Sequence, residues 1–247
     1  MTQRMPSRRR SATPHEQPLR ALLDAPQLLE EAVVRLLVVM LAAAPILAQE
    51  SLYYSRNFPN SVPEYFDVTV TRAGDAIYRE ALDDEFPVEF QVDEETTEKL
   101  FNWALALEGK EDAVQSPIKT AFTGDKVIRW TGPDGKVRSE SKFVFSQVPE
   151  AQSISTWFLN VATTARHLIE LERVAQFDRL GVNKALLHLQ SSMNRGRIVA
   201  PEQLLPILKK IVATKQILHL ARTRASAMVE AIESGTFGPQ TEEEPQP

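Results

Sequence analysis

Tyr65-Phe-Asp-Val-Thr-Val-Thr-Arg-Ala-Gly-Asp-Ala-Ile-Tyr-Arg-Glu80 is the stretch on which the fold class turns. Phe66, Val68 and Val70 alternate with Asp67, Thr69 and Thr71, the period of two of a half-buried strand. Arg72 to Asp75 reads as a turn, with Gly74 free to take a positive φ. The chain returns from Ala76 to Glu80 as a second strand. Past Asp83-Asp84-Glu85, a third short strand spans Pro87 to Val92. Asp93 then stands where a helix N-cap belongs, with Glu94 and Glu95 in the first turn, where the helix dipole favours acids. Leu100, Phe101, Ala104, Leu105 and Leu107 supply an apolar face, and Gly109 ends the helix.

A second unit of the same order follows a linker over 110–119. The strand Lys126 to Thr131 meets Gly132-Pro-Asp-Gly135, a hairpin signal, and the chain comes back through Lys136 to Phe145. Pro149-Glu150 opens a long helix to about Asp178, since proline lacks only an amide hydrogen that a first turn leaves unpaired. Its apolar positions occupy more than one stripe, so it should touch both the sheet and later helices. Pairing the two hairpins edge to edge gives an α+β fold: an antiparallel sheet from two β-hairpin/helix units, followed by a C-terminal helical layer.

Upstream, Ser51 to Glu64 is aromatic and aperiodic. Tyr53, Tyr54 and Phe58 read as an extended lead-in whose rings pack on the domain or on a partner. Downstream, Gly181 breaks the long helix, Val182 to Met193 forms another, and Asn194 to Arg197 is a turn. A last helix starts at Ala200-Pro201-Glu202 and its apolar spacing extends to Gly235. Residues 236–247 are Pro, Gln and Glu with almost no apolar residue, the composition of a disordered tail. The layout is thus a strand-rich part over 49–149, a helical part of the same domain over 150–235, and the tail.

The first 48 residues read differently. Arginines precede the 13-residue apolar run Leu36 to Ala48, and the polar Gln49-Glu-Ser51 follows it. A positive flank, a short apolar core and a small residue at the break are the parts of a signal peptide, and the run is short of the roughly 17–25 residues a bilayer span needs. Arg35 begins the signal proper; a start at Val33 or Val34 would make residues 1–32 an extension outside the true reading frame start. The rival readings are a buried helix over 27–47 and a retained single-helix anchor. Export implies a periplasmic or secreted protein, with no stable membrane span after processing. The chain has no cysteine, hence no disulfide framework, and about 199 residues can build an ordinary core.

Residues 1–48 hold six of the 28 basic and four of the 33 acidic residues, so the remainder carries 22 against 29, a net charge near −7. That sign speaks against nucleic acid and anionic lipid as partners, because phosphate neutralisation needs surplus cations.

Motifs for chemistry are sparse. His167, His188 and His219 sit on three helical segments without metal-ligand spacing, and no HExxH accompanies them. Asp83 to Glu85 reads as a solvated loop, with weak calcium binding as the alternative. Gly-x-Ser-x-Gly and phosphate-cradling loops are absent. Asp178-Arg-Leu-Gly-Val-Asn-Lys184 is the segment least like generic core: a helix-helix corner in which Asp178 or Asn183 caps the next helix and Gly181 supplies permissive backbone. Arg179, Asn183 and Lys184 there, with Tyr53, Tyr54 and Phe58, are the candidate partner contacts. No cofactor is implied.

Tyr54-Ser-Arg-Asn-Phe-Pro-Asn-Ser-Val-Pro-Glu-Tyr-Phe66, Glu80-Ala-Leu-Asp-Asp-Glu85, Asp178 to Leu187 and Val199-Ala-Pro-Glu-Gln-Leu-Leu-Pro206 together resemble uncharacterised exported proteins of soil bacteria, the Acidobacteria. The resemblance implies no activity. More distantly, the strand-turn-strand-helix pattern at 65–108 is similar to emfourin-type protease inhibitors. The expected function is an exported, non-enzymatic binding or inhibitor-like protein whose partner is another envelope protein. The rivals are a purely structural envelope protein and a hydrolase in which His167 or His188 meets Glu172 or Asp178 across helices. A binding module should expose an aromatic or apolar patch above roughly 400 Å² and no histidine-centred pocket.

Overall fold

The computed structural model describes residues 49–236; the signal segment, the alternative helix over 27–47 and the tail beyond 236 lie outside them. Six strands form one sheet: β1 (Ser51–Asn57), β2 (Tyr65–Thr71), β3 (Asp75–Arg79), β4 (Val88–Gln91), β5 (Asp125–Thr131) and β6 (Val137–Phe143). Their order is β4-β3-β2-β1-β5-β6, with every pairing antiparallel. The α+β class with an antiparallel sheet and a C-terminal helical region is therefore as the sequence indicates. Helices α1 (Glu94–Leu107), a short α2 (Glu111–Val114), α3 (Pro149–Phe177), α4 (Val182–Asn194), α5 (Leu205–Ala213) and α6 (His219–Glu233) make up the helical part of the described residues, with a 3-10 turn at Pro201–Leu204.

The aromatic lead-in is the main correction. Ser51–Asn57 is a central strand, hydrogen bonded to β2 on one side and β5 on the other. The two hairpins therefore do not meet edge to edge; β1 joins them. Leu52 and Tyr54 enter the core with Phe66, Val68, Val70, Tyr78, Ile128 and Trp130. Each such buried side chain stabilises the fold by about 1.5–3 kcal/mol relative to exposure.

Local signals set the element ends. The Asp93 carboxylate accepts from the Thr96 N–H at 2.8 Å and starts α1. Gly74 has φ +90, and a Cβ there would collide with the Val92 carbonyl. Its own carbonyl accepts from the Val92 N–H at 2.9 Å, so this turn is sewn to the end of β4.

Helix α3 is 29 residues long, about 43 Å at about 1.5 Å per residue. Its first half, from Ala151 through Phe158 to Ala165, packs on the sheet. Its second half, with Leu171 and Val174, founds a separate apolar cluster with α4, α5 and α6. This dual role explains the broad apolar surface seen in the sequence.

The expected last helix is two helices. Thr214 to Leu218 interrupts it, with the Ile217 N–H bonded to the Thr214 carbonyl at 3.1 Å and the Thr214 hydroxyl turned back on the Lys210 carbonyl at 2.7 Å. Ile217 is buried in this link, so the apolar period runs straight through the break. Pro206 falls in the first turn of α5, where it kinks nothing. Among the described residues no helix is long and apolar enough to cross a membrane.

Candidate functional site

A cleft of about 670 Å³ lies along one flank of α3, beside the sheet. Its floor is a polar stripe on a mostly apolar helix: Thr156, Asn160, Thr163, His167 and Glu170 line it. Steps of four and three residues put all five on one face. One wall is the β1–β2 connection, where Val62 and Pro63 stand beside Phe66. The other is the link after α4, which carries Arg197. That link is pinned to α3 because the buried Thr164 hydroxyl accepts from the Val199 N–H at 3.1 Å. Ala200, in the left-handed region at φ 45, then turns the chain into the 3-10 turn.

The cleft is cationic although the chain is acidic. Arg56, Arg166 and Arg197 line it with His167 and His188, against the single carboxylate of Glu170. Glu170 is already engaged, accepting from Arg173 Nε at 2.9 Å and Nη2 at 2.8 Å. Arg166 donates to the Val62 carbonyl at 2.6 Å, and its Nε is 3.9 Å from Glu80. Among the described residues Arg197 makes no ion pair. His167 is half-buried, its Nε2 hydrogen bonded to the Ser192 hydroxyl at 2.8 Å. Burial holds its pKa below the ordinary histidine value, with the neighbouring charges of His188 and Arg166 adding to the effect.

Arg56 comes from β1, on the same face as the core residues Leu52 and Tyr54. Its cross-strand partners are Phe66 on β2 and Lys126 on β5, and Lys126 in turn faces Phe143 on β6. Two cations thus sit side by side in a core-facing row between two phenylalanines, an arrangement that like-charge pairing disfavours. Lys126 is only 7% exposed. Its ammonium donates to the Val144 carbonyl at 2.5 Å, the Thr123 hydroxyl at 2.9 Å and the Gly124 carbonyl at 3.2 Å. Burial, then the Arg56 charge, pushes its pKa down to about 8. Among the described residues no carboxylate makes an ion pair with either cation. A locally unfavourable charge pair retained in a folded protein marks a functional position more often than a structural one.

Of the contacts expected from sequence, Tyr54 is a correction: it is 0% exposed, stacked on Phe158 at 5.1 Å between centroids, and offers nothing to a partner. Its pKa is raised by burial. Tyr53 points to the opposite, open face of the sheet, where its ring lies beneath Arg129 and its hydroxyl meets that of Tyr65 at 3.1 Å. Phe58 packs edge-on to Phe122, under Arg56. These three rings do not form one patch.

At the corner, Arg179 and Lys184 are exposed, and Asn183 accepts from Arg224 on α6. Phe177 and Leu180 are 75% and 76% exposed beside them. The Asp178 carboxylate accepts from the Gly181 N–H at 3.0 Å and closes the turn ahead of α4, but the N-cap is Gly181 and no side chain caps the helix, so the expected cap by Asp178 or Asn183 is not made. Gly181 itself has φ −69, so the corner uses its small size and not its backbone freedom: a Cβ would strike the Asp178 carboxylate.

Against the expectation of no histidine-centred pocket, His167 and His188 both line this cleft, and the His167 imidazole lies 2.8 Å from the Ser192 hydroxyl. The α3 stripe was visible in the sequence as polar residues at helical spacing. Its meaning was hidden, because such a stripe ordinarily faces open solvent. The Asp83 to Glu85 loop is ordered by Asp84, which accepts from the Glu80 and Phe86 N–H groups at 3.0 Å each. Among the described residues no group of three or more His, Asp or Glu side chains is arranged to hold a metal ion.

Comparison with protein-family models, curated proteins and solved structures finds no match.

Proposed function

We propose that the chain is an exported, non-enzymatic binding protein of the bacterial envelope, and that the α3 cleft takes an anionic group of its ligand. The observation that carries this reading is the reversal of charge: three arginines and two histidines converge on one concavity of an acidic chain. Oriented guanidinium groups bind carboxylate and phosphate well, and low local dielectric strengthens the attraction. An acidic surface around a basic cleft also steers anions to one place. Export is supported by the apolar run ending at Ala48, shortly ahead of the first described strand at Ser51.

Hydrolysis is the second reading, and the 2.8 Å contact between His167 and Ser192 favours it. Against it, Ser192 lies in the last turns of α4, where the free carbonyls of a helix C-terminus repel an oxyanion. Glu170, the nearest acid on the stripe, is held by Arg173 and not by the imidazole.

Calorimetric titration of the full chain with succinate and with inorganic phosphate tests the proposal. Saturable binding weakened about three- to tenfold by Arg197→Ala is the expected result. Turnover of an ester substrate that is abolished by Ser192→Ala would favour the second reading instead.

A further inference from the structure

The cleft does not end at Thr156. A second concavity of about 450 Å³ opens between α3 and the β5–β6 end of the sheet, and it shares Arg56, Thr156 and Leu159 with the first. Gln152 continues the polar stripe into it, one turn before Thr156. From Gln152 to Glu170 the groove follows α3 for about 27 Å at about 1.5 Å per residue. That length takes about eight residues of extended peptide at about 3.3 Å each.

We propose that this groove binds an extended acidic segment of a partner protein along α3. The inference rests on the anion-binding reading of the cleft and extends it to a ligand class. Cations recur along the groove: the buried Lys126 near one end, Arg56 at the middle, Arg166 and Arg197 at the other. Lys126 supplies potential and no direct bond, because an ammonium has three protons and Thr123, Gly124 and Val144 already accept them. Between the charges, the amides and hydroxyls of Gln152, Thr156, Asn160 and Thr163 suit the donors and acceptors of a peptide backbone. Leu159 and Pro63 offer apolar surface to side chains between the acids. A polyanion of dense charge fits less well, for the cations are widely spaced and the rest of the chain is acidic and would repel it.

The test is fluorescence anisotropy on the full chain with labelled peptides of alternating Glu and Ser, about four and about eight residues long. A sulfated polysaccharide of matched charge and the variants Arg197→Ala and Gln152→Glu complete the set. The longer peptide is expected to bind at least tenfold more tightly than the shorter. Gln152→Glu should weaken only the longer one, about fivefold, because Gln152 lies outside the cleft; unchanged binding of the shorter peptide also reports that this variant is folded. Arg197→Ala should weaken both. Equal affinity for the two lengths, or indifference of the longer to Gln152→Glu, overturns the groove while leaving the anion cleft standing if Arg197→Ala still acts. Indifference of both peptides to Arg197→Ala overturns the cleft itself. Tighter binding of the polysaccharide than of the longer peptide overturns the peptide assignment.

Discussion

Replacing Tyr54 by phenylalanine should stabilise the protein. The Tyr54 hydroxyl is buried on the central strand next to the buried Ser155 hydroxyl of α3, and among the described residues neither meets a partner at hydrogen-bonding geometry, although Ser155 is close enough to act on the Tyr54 phenol. A buried hydroxyl without a partner costs roughly 1–3 kcal/mol. Removing it leaves a void of about 10 Å³, worth about 0.2 kcal/mol at about 24 cal/mol per Å³. The net gain expected from Tyr54→Phe is thus about 1 kcal/mol, a rise in Tm of roughly 2–4 °C for a chain of this size. Urea unfolding reads it as a higher midpoint at unchanged slope. Tyr54→Ala is the contrasting variant: it removes the ring stacked on Phe158 and should cost about 3–5 kcal/mol. Destabilisation by about 1 kcal/mol in Tyr54→Phe and again in Ser155→Ala, with no further loss in the double variant, would show that the two hydroxyls bond each other. That result would refute the reasoning. A Tyr54→Ala variant within about 0.5 kcal/mol of the parent would refute the placement of Ser51–Asn57 in the centre of the sheet.

Protonation of His167 adds a charge to the cleft, so affinity for an anion that keeps its charge, such as sulfate, should rise as pH falls below the ordinary histidine range, and the rise should be smaller in His167→Gln, where His188 still lines the cleft; calorimetry at several pH values checks it. The same depressed pKa means that stability contributed by neutral His167 is present above the unfolded-state value and lost as pH drops through the folded-state one. Lys126, lowered to about 8 from 10.5, leaves the folded state with fewer bound protons than the unfolded state in between. Stability should therefore climb from pH 8 towards 10, a climb that Lys126→Met abolishes. Above pH 10 it should fall, since Tyr54, Tyr65 and Tyr78 all have pKa values raised by burial and keep their protons only when folded. Gly181→Ala and Asp178→Ala should each cost about 1 kcal/mol through the same lost turn hydrogen bond, and the double variant little more, as measured by urea unfolding.

The hairpins were legible because their signals are local: alternation from Phe66 to Val70, Gly74 at the turn, Gly132 to Gly135 at the other. Strand β1 was not, and the reason is instructive. Leu52 and Tyr54 do alternate with Tyr53 and Ser55, but the next inward position is Arg56, which breaks the pattern. The residue that hides the strand is the one that brings a cation to the cleft. The break between α5 and α6 was invisible for a different reason: no glycine or proline marks it, and Ile217 keeps the apolar period while sitting in the turn. His167 and Arg197 are 30 residues apart in sequence and meet only because Thr164 anchors the link after α4. No linear motif encodes that.

Amide chemical shifts of the full chain during titration with succinate test the anion cleft most directly. Perturbations are expected to concentrate at Arg56, Val62, Asn160, Thr163, Arg166, His167, His188 and Arg197, the residues around the concavity, and to shrink in Arg197→Ala. Shifts that gather instead on the exposed corner at Phe177 to Lys184, or that are absent at about 10 mM ligand, above the millimolar range in which weak sites still bind, would contradict an anion site on α3.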